Sequence, residues 1–127
     1  MNVLIIDDDE INNFLCKKVM ELSDFSQEIH ACLSVDEGIK YLKTTLAKNP
    51  DKYPDTLFLD INMPVRTGWD FLDEYDILCK ENTLKKMNIY MLSSSVYEED
   101  INKAEENSLI TKYVTKPLKV SLLQSLK

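Results

Sequence analysis

A doubly wound α/β fold, one parallel sheet of five strands with five helices on its two faces, is what this sequence predicts. Three observations predict it. Short apolar runs alternate five times with stretches of helical periodicity, the pattern of a parallel sheet whose strands are joined by right-handed helical crossovers. Most of the runs hold little polar character until they stop, as strands buried on both faces do. Several then end on side chains that carry chemistry: Asp7 and Asp8, Asp60, Ser93 and Lys116. The expected strand order is 2-1-3-4-5, with the switch point between the first and third strands, where open α/β sheets place their ligands.

Length and composition set the bounds. The 127 residues are read as one domain, 1–127, with no linker or repeat. Hydrophobic residues at 44% and charged residues at 29% argue against disorder. A net charge of -7 and a pI near 4.7 argue against non-specific attraction to nucleic acid or an anionic membrane, while a concentrated acidic site would want a cation. Cys16, Cys32 and Cys79 lack metal-ligand spacing and are odd in number, so no disulfide framework is expected. Val3 to Ile6 is too short for a signal peptide or a span. The expected location is the cytoplasm. Met1 reads as a true start, and whether the natural chain continues past Lys127 stays open.

Each element has its own reason. Asn2 to Ile6 (NVLII) is a β-branched and leucine run that stops on Asp7, Asp8, Asp9 and Glu10. From Glu10 the pattern becomes helical, with Ile11, Leu15, Val19 and Leu22, and Phe14 beside them, as the expected buried face. Asp9 and Glu10 read as acids at a helix start, with a metal role as the alternative. Ser26 to Leu33 alternates weakly and predicts a second strand. Ser34 with Glu37 makes a capping box for a helix to about Lys48, buried through Ile39, Leu42 and Leu46. Asn49 to Pro54 is a loop. Thr56 to Asp60 follows as the third strand, and Pro64 forces a loop after it. Trp69 to Cys79 carries Phe71, Leu72, Tyr75 and Leu78 at helical spacing. Met87 to Leu92 is a fourth strand ending on Ser93, Ser94 and Ser95. Ser95 with Glu98 predicts a helix to about Asn107, thin in apolar residues at Ile101 and Ala104. Leu109 to Thr115 is the fifth strand, and Leu118, Leu122, Leu123 and Leu126 make a short last helix.

The topology gathers Asp7, Asp8, Asp60, Ser93 and Lys116 at one rim. Carboxylates so gathered repel each other unless a cation is present, and hard oxygen ligands suit Mg2+ or Mn2+. A divalent ion beside Asp60 would neutralise an incoming phosphoryl group, with the Lys116 ammonium and the Ser93 hydroxyl holding its other oxygens. The set reads as a phosphoryl acceptor site, with Asp60 forming a mixed anhydride. No His or Glu is placed as a water-activating base; His30 lies in the second strand and reads as structural.

The ordered set IIDDDE, LFLDINMPVRTG, MLSSS and YVTKPL resembles the receiver domain of bacterial two-component response regulators, of the stand-alone single-domain type, over essentially the whole chain. The resemblance implies a flavodoxin-like sheet and a phosphoacceptor signalling switch that catalyses only its own phosphorylation and slow autodephosphorylation. Asp60 would be the phosphorylated aspartate. Asp8 would bind Mg2+ directly and Asp7 through water, with the backbone carbonyl of Asn62 completing the site. Ser93 would bond the phosphoryl group, Lys116 pair with it, and Tyr113 be the rotating aromatic of the switch. The side chains of Asn62 and Ser95 would tune its lifetime. The bond between Lys116 and Pro117 would be a cis peptide. Partners would be a sensor histidine kinase or histidine phosphotransfer protein, and a downstream protein on the face of the fourth helix, fifth strand and fifth helix; a homodimer of the phosphorylated form stays open.

Departures from the family pattern are SLITK before Tyr113 and Ser in place of the commoner Thr at residue 93; Arg66 and Thr67 have no role in it. Trp69 reads as partly packed, and Tyr97 as a candidate for the interaction face. Rival readings are a phosphorylation-independent binding adapter and a small phosphotransferase or phosphatase. The latter wants an acid where Asn62 stands. A flavin-binding domain is disfavoured by two glycines in all and the lack of a phosphate cradle.

Overall fold

The computed structural model describes residues 1–84, 86–94 and 97–126. Five parallel strands, β1 (Asn2–Ile6), β2 (Glu28–Cys32), β3 (Thr56–Asp60), β4 (Asn88–Ser93) and β5 (Lys112–Thr115), form one sheet in the order β2-β1-β3-β4-β5. Helices α1 (Glu10–Leu22), α2 (Val35–Lys48), α3 (Gly68–Asn82), α4 (Glu98–Glu106) and α5 (Val120–Ser125) connect and cover them, with a 3-10 turn at Pro50–Lys52 before β3. The sheet and its flavodoxin-like order are as the sequence predicts.

Strand alternation sorts the core into two halves. Leu4, Ile6, Leu57, Leu59, Ile89 and Met91 point to the side covered by Val35, Ile39 and Leu42 of α2 and Phe71, Leu72, Tyr75 and Leu78 of α3. Val3, Ile5, Phe58, Tyr90, Leu92 and Val114 point to the other side, against Cys16 and Met20 of α1 and Leu118 and Leu123 beside and within α5. Every residue of β3 is buried, which fixes Asp60 at the end of the most enclosed strand. Tyr75 ties α3 to the start of β4, its hydroxyl accepting the Met87 N–H at 2.7 Å.

The expected buried face of α1 is the wrong one. Ile11, Phe14, Leu15 and Leu22 are 53–80% exposed, and Asn13, Cys16 and Met20 face the core; Val19 is half-buried. The reason is local. Asp9 caps the helix by accepting from the N–H groups of Ile11 and Asn12, and Asn13 donates to the Asp7 carbonyl at 3.0 Å. These contacts rotate the helix so that polar residues meet the strand end while its apolar stripe faces solvent, with the Lys18 ammonium 5.5 Å above the Phe14 ring.

Smaller corrections follow the same logic. The second and fifth strands are shorter than their apolar runs; Leu109 and Ile110 pack on the core as loop. The third helix runs on to Asn82. Thr67, given no role by sequence, caps α3 in a reciprocal box with Asp70. The fourth helix starts at Glu98 with Tyr97 at its N-cap position; the predicted cap at Ser95 lies outside the described residues. Ala104 alone of α4 is buried, and the Lys103 ammonium sits 4.4 Å over the Trp69 ring on α3. No helix among the described residues is long and apolar enough to cross a membrane.

Candidate functional site

The carboxyl ends of β1, β3 and β5 converge. Asp7 follows β1 directly and is 1% exposed; its N–H donates to Cys32 O at 3.1 Å, continuing the β1–β2 ladder by one residue. Asp60 is the last residue of β3, buried. Asp8 is exposed, and one carboxylate oxygen from each of Asp7, Asp8 and Asp60 lies within 4.8 Å of the others. From the end of β5, the Lys116 ammonium reaches 2.9 Å from Asp7 Oδ2 and 3.4 Å from Asp60 Oδ1. The Lys116 N–H donates to Ser93 O at 2.8 Å, and the peptide bond between Lys116 and Pro117 is cis. Ser93 is fully buried, one residue past the Leu92 that pairs with Asp60.

Two residues that sequence reasoning missed hold Asp7 in place. Asn12 Nδ2 donates to Asp7 Oδ2 at 2.7 Å, and Asn13 Nδ2 to the Asp7 carbonyl. The Asp9 N–H donates to Asp7 Oδ1 at 2.9 Å. Asp7 thus meets a donor on each oxygen, which satisfies the hydrogen-bonding capacity of a buried carboxyl group. The signal was there to read: two consecutive amides where an apolar core face would otherwise begin.

Burial first, and then the neighbouring Asp7, raise the pKa of Asp60 to about 6 against the lowering pull of Lys116. For Lys116, burial disfavours the charge, but the hydrogen bond to Asp7 and the field of Asp60 outweigh it and the pKa is raised. The ammonium stays charged while Asp60 carries an unrelieved cost of ionisation. Three carboxylates against one ammonium leave an excess of negative charge, with Asp8 open to solvent. That donor set fits a hard divalent cation such as Mg2+ or Mn2+.

Around this centre, Asn62 is exposed in the loop after β3, and Tyr113 is half-buried against the core on the α2 and α3 side. Ser95 lies outside the described residues. Gly68 brings α3 against the loop: a Cβ there would lie 2.5 Å from Asp60 O and 3.1 Å from Ile61 Cα. His30 takes no part; it stacks on Tyr41 with ring centroids 4.0 Å apart. Cys16 lies under the site as an inert thiol, its pKa pushed up to about 11 by burial and by Asp7.

Residues 3–126 match the family model for the response regulator receiver domain. The chain belongs to this family. It is 30% identical over 115 residues to the sensor histidine kinase CheAY of Helicobacter pylori, covering 91% of this chain and 13% of that protein. The chain therefore spans about an eighth of that relative's length. Among solved structures it is similar to a two-component response regulator from Cytophaga hutchinsonii, at 33% identity and a TM-score of 0.88, covering 98% of this chain and 92% of the other. It shares its fold with the receiver domain of the histidine kinase CKI1 from Arabidopsis thaliana complexed with Mg2+, at 18% identity and a TM-score of 0.81, covering 99% and 91%. Receiver domains are signalling switches rather than metabolic catalysts, and they work with histidine kinases or phosphotransfer proteins.

Proposed function

We propose that this receiver domain accepts a phosphoryl group on Asp60 from a histidine kinase or histidine phosphotransfer protein, in a Mg2+-dependent reaction, and thereby switches a protein-binding surface. The supporting observation is the carboxylate cluster of Asp7, Asp8 and Asp60, with Lys116 shared between the two buried members.

In this reading Asp8 would hold the ion directly and Asp7 through water, and Asp60 and the Asn62 carbonyl would complete the set, with Mn2+ able to replace Mg2+. The ion supplies charge neutralisation at the incoming phosphoryl group. An Asp60 oxygen attacks phosphorus, the P–N bond of the donor breaks, and the imidazole departs. Lys116 and Ser93 hold the transferred oxygens. Lys116 then trades part of its attraction to Asp60 for the phosphoryl group, and Ser93 draws toward it. Tyr113 turns into the space released, which reshapes the surface of α4, β5 and α5. Asn62, and by the family resemblance Ser95, would set the lifetime of the phosphoryl group against hydrolysis. Catalysis extends only to its own phosphorylation and slow autodephosphorylation. The working location is the cytoplasm, residues 1–127 act as one domain, and output is by protein binding, with dimerisation of the phosphorylated form as one route.

The test is intact mass after adding Mg2+ and acetyl phosphate to the wild type and to Asp60→Asn. A gain of roughly 80 Da, one phosphoryl group, that requires Mg2+ and is absent from the variant is the expected result. No adduct, together with no response to Mg2+, would leave a phosphorylation-independent adapter as the reading.

A further inference from the structure

The loop between β3 and α3 holds one residue in a conformation its side chain resists. Val65 has a φ of 70°, and the Arg66 N–H donates to Pro64 O at 2.8 Å, so residues 64–66 close a three-residue turn. Turns of this kind with positive φ are rare and strained, and a β-branched residue there is an outlier. The Val65 side chain is 99% exposed, so none of its own packing holds it in place.

Arg66, the next residue, is anchored at both ends of its guanidinium. One nitrogen lies 2.7 Å from Asp36 Oδ1 in the first turn of α2, and the other lies 2.5 Å from Glu74 Oε2 in α3. A planar fork donating to two carboxylates fixes direction as well as distance. Elsewhere the loop is pinned at its base, where the Gly68 N–H donates to Ile61 O at 2.9 Å and Met63 is buried. The backbone left to be positioned is Asn62 and residues 64–66. Strain persists where the surroundings over-determine it, and the surroundings that do so here are the two ion pairs of Arg66.

We infer that Arg66 is a positioning residue: by bridging α2 and α3 it holds the strained turn at Val65 and so fixes the loop that carries Asn62. Its consequence for metal binding rests on the phosphoacceptor reading above. Without the bridge the turn relaxes toward negative φ, and the loop backbone that carries Asn62 loses its fixed position. The fold itself does not depend on the bridge, because Arg66 belongs to neither apolar core and the strain released when the fork is lost offsets the ion pairs lost with it.

The test uses the full chain with Arg66→Gln, Val65→Gly and the double variant, and Mg2+ alone as the probe, followed by Trp69 fluorescence. Arg66→Gln should bind Mg2+ roughly tenfold more weakly, the usual scale for losing an outer support of a metal site, with an unchanged melting temperature. Adding Val65→Gly should restore affinity, since glycine takes positive φ without strain and needs no clamp. Unchanged affinity in Arg66→Gln, or a loss that Val65→Gly does not recover, would overturn the inference. A second readout needs no metal. Amide hydrogen exchange at Arg66 and Gly68 should quicken in Arg66→Gln and recover in the double variant, and equal rates in all forms would sink the clamp whatever Mg2+ does. A wild type that fails to bind Mg2+ while exchange responds as described would remove the metal reading and leave the clamp standing.

Discussion

Lys116 reaches from the end of β5 to Asp7 at the end of β1, its ammonium 2.9 Å from Asp7 Oδ2. Asp7 is buried, so this contact compensates a charge that water does not reach. Replacing Lys116 with Met should leave Asp7 on its amide donors alone and Asp60 without a cation. Breaking one partner of a buried pair costs about 3 kcal/mol, and urea unfolding without Mg2+ should show a loss of that order. Added Mg2+ should recover part of it. A loss below about 0.5 kcal/mol, the scale of a solvent-screened pair, would show that water already serves these acids.

The raised pKa of Asp60 has a sign for stability. Its value of about 6 in the folded chain stands above the ordinary 3.8, so the folded state holds the proton more tightly than the unfolded one. The resulting stability is fully present below about pH 4 and is lost as pH rises through 6. Asp60→Asn cannot ionise. Without metal it should therefore be more stable than the wild type above pH 7, on the order of 1 kcal/mol after solvent screening, and by much less near pH 4. Thermal unfolding of both proteins across pH 4 to 8, limits spanning the two pKa values, checks the slope.

The same proton competes with the proposed ion. Apparent Mg2+ affinity should be nearly flat above pH 7 and fall about tenfold for each unit below pH 6, as metal binding to a protonated ligand requires. Titrations followed by Trp69 emission would show it, and a pH-independent affinity would mean that Asp60 is not among the ligands.

Asn12 supports Asp7 at 2.7 Å. Asn12→Ala should cost about 1.5 kcal/mol, the range for a hydrogen bond to a charged group. A double-mutant cycle with Asp7→Asn should return most of that figure as coupling. Additive effects would assign the cost of Asn12→Ala to the helix rather than to the site.

At Gly68 two effects oppose each other. Alanine is the better helix former by up to about 1 kcal/mol, a helix-interior figure and so a ceiling for the first residue of α3, but its methyl would meet the backbone of Asp60 and Ile61 at 2.5 and 3.1 Å, atoms that cannot swing away. Overpacking costs typically 1–3 kcal/mol. Gly68→Ala should be net destabilising by denaturant unfolding and should weaken Mg2+ binding, because the carbonyl that must shift is that of Asp60.

The rotation of α1 is open to an equally direct check. Met20→Ala removes a fully buried side chain and should cost about 2–4 kcal/mol. Leu22→Gln alters a side chain 80% exposed and should stay within about 0.5 kcal/mol. Equal losses would place both residues in the core.

Strand identity was legible because burial on both faces leaves a mark that composition alone carries: no residue of β3 is exposed, and its sequence is apolar up to Asp60. The convergence of Asp7, Asp60 and Lys116 followed from topology. Helix phase was not legible in α1, because periodicity reports that a stripe exists and not which way it faces; the hydrogen bonds that Asp9 accepts and that Asn13 donates decided that. The support given by Asn12 to Asp7 and by Arg66 to its loop depends on neighbours at the end of a strand or 30 residues away in sequence, and no local pattern announces such pairings.

The outward stripe of α1 also governs how the protein behaves in bulk. Ile11, Phe14, Leu15 and Leu22 line up on a helix surface in a molecule whose -7 charge keeps copies apart. Acidifying toward the pI near 4.7, or shortening the reach of that repulsion to about 3 Å in molar salt, removes what separates two such stripes. Storage buffers for this chain should be neutral and dilute, and self-association on acidification or in molar salt should weaken when Phe14 and Leu22 are made polar.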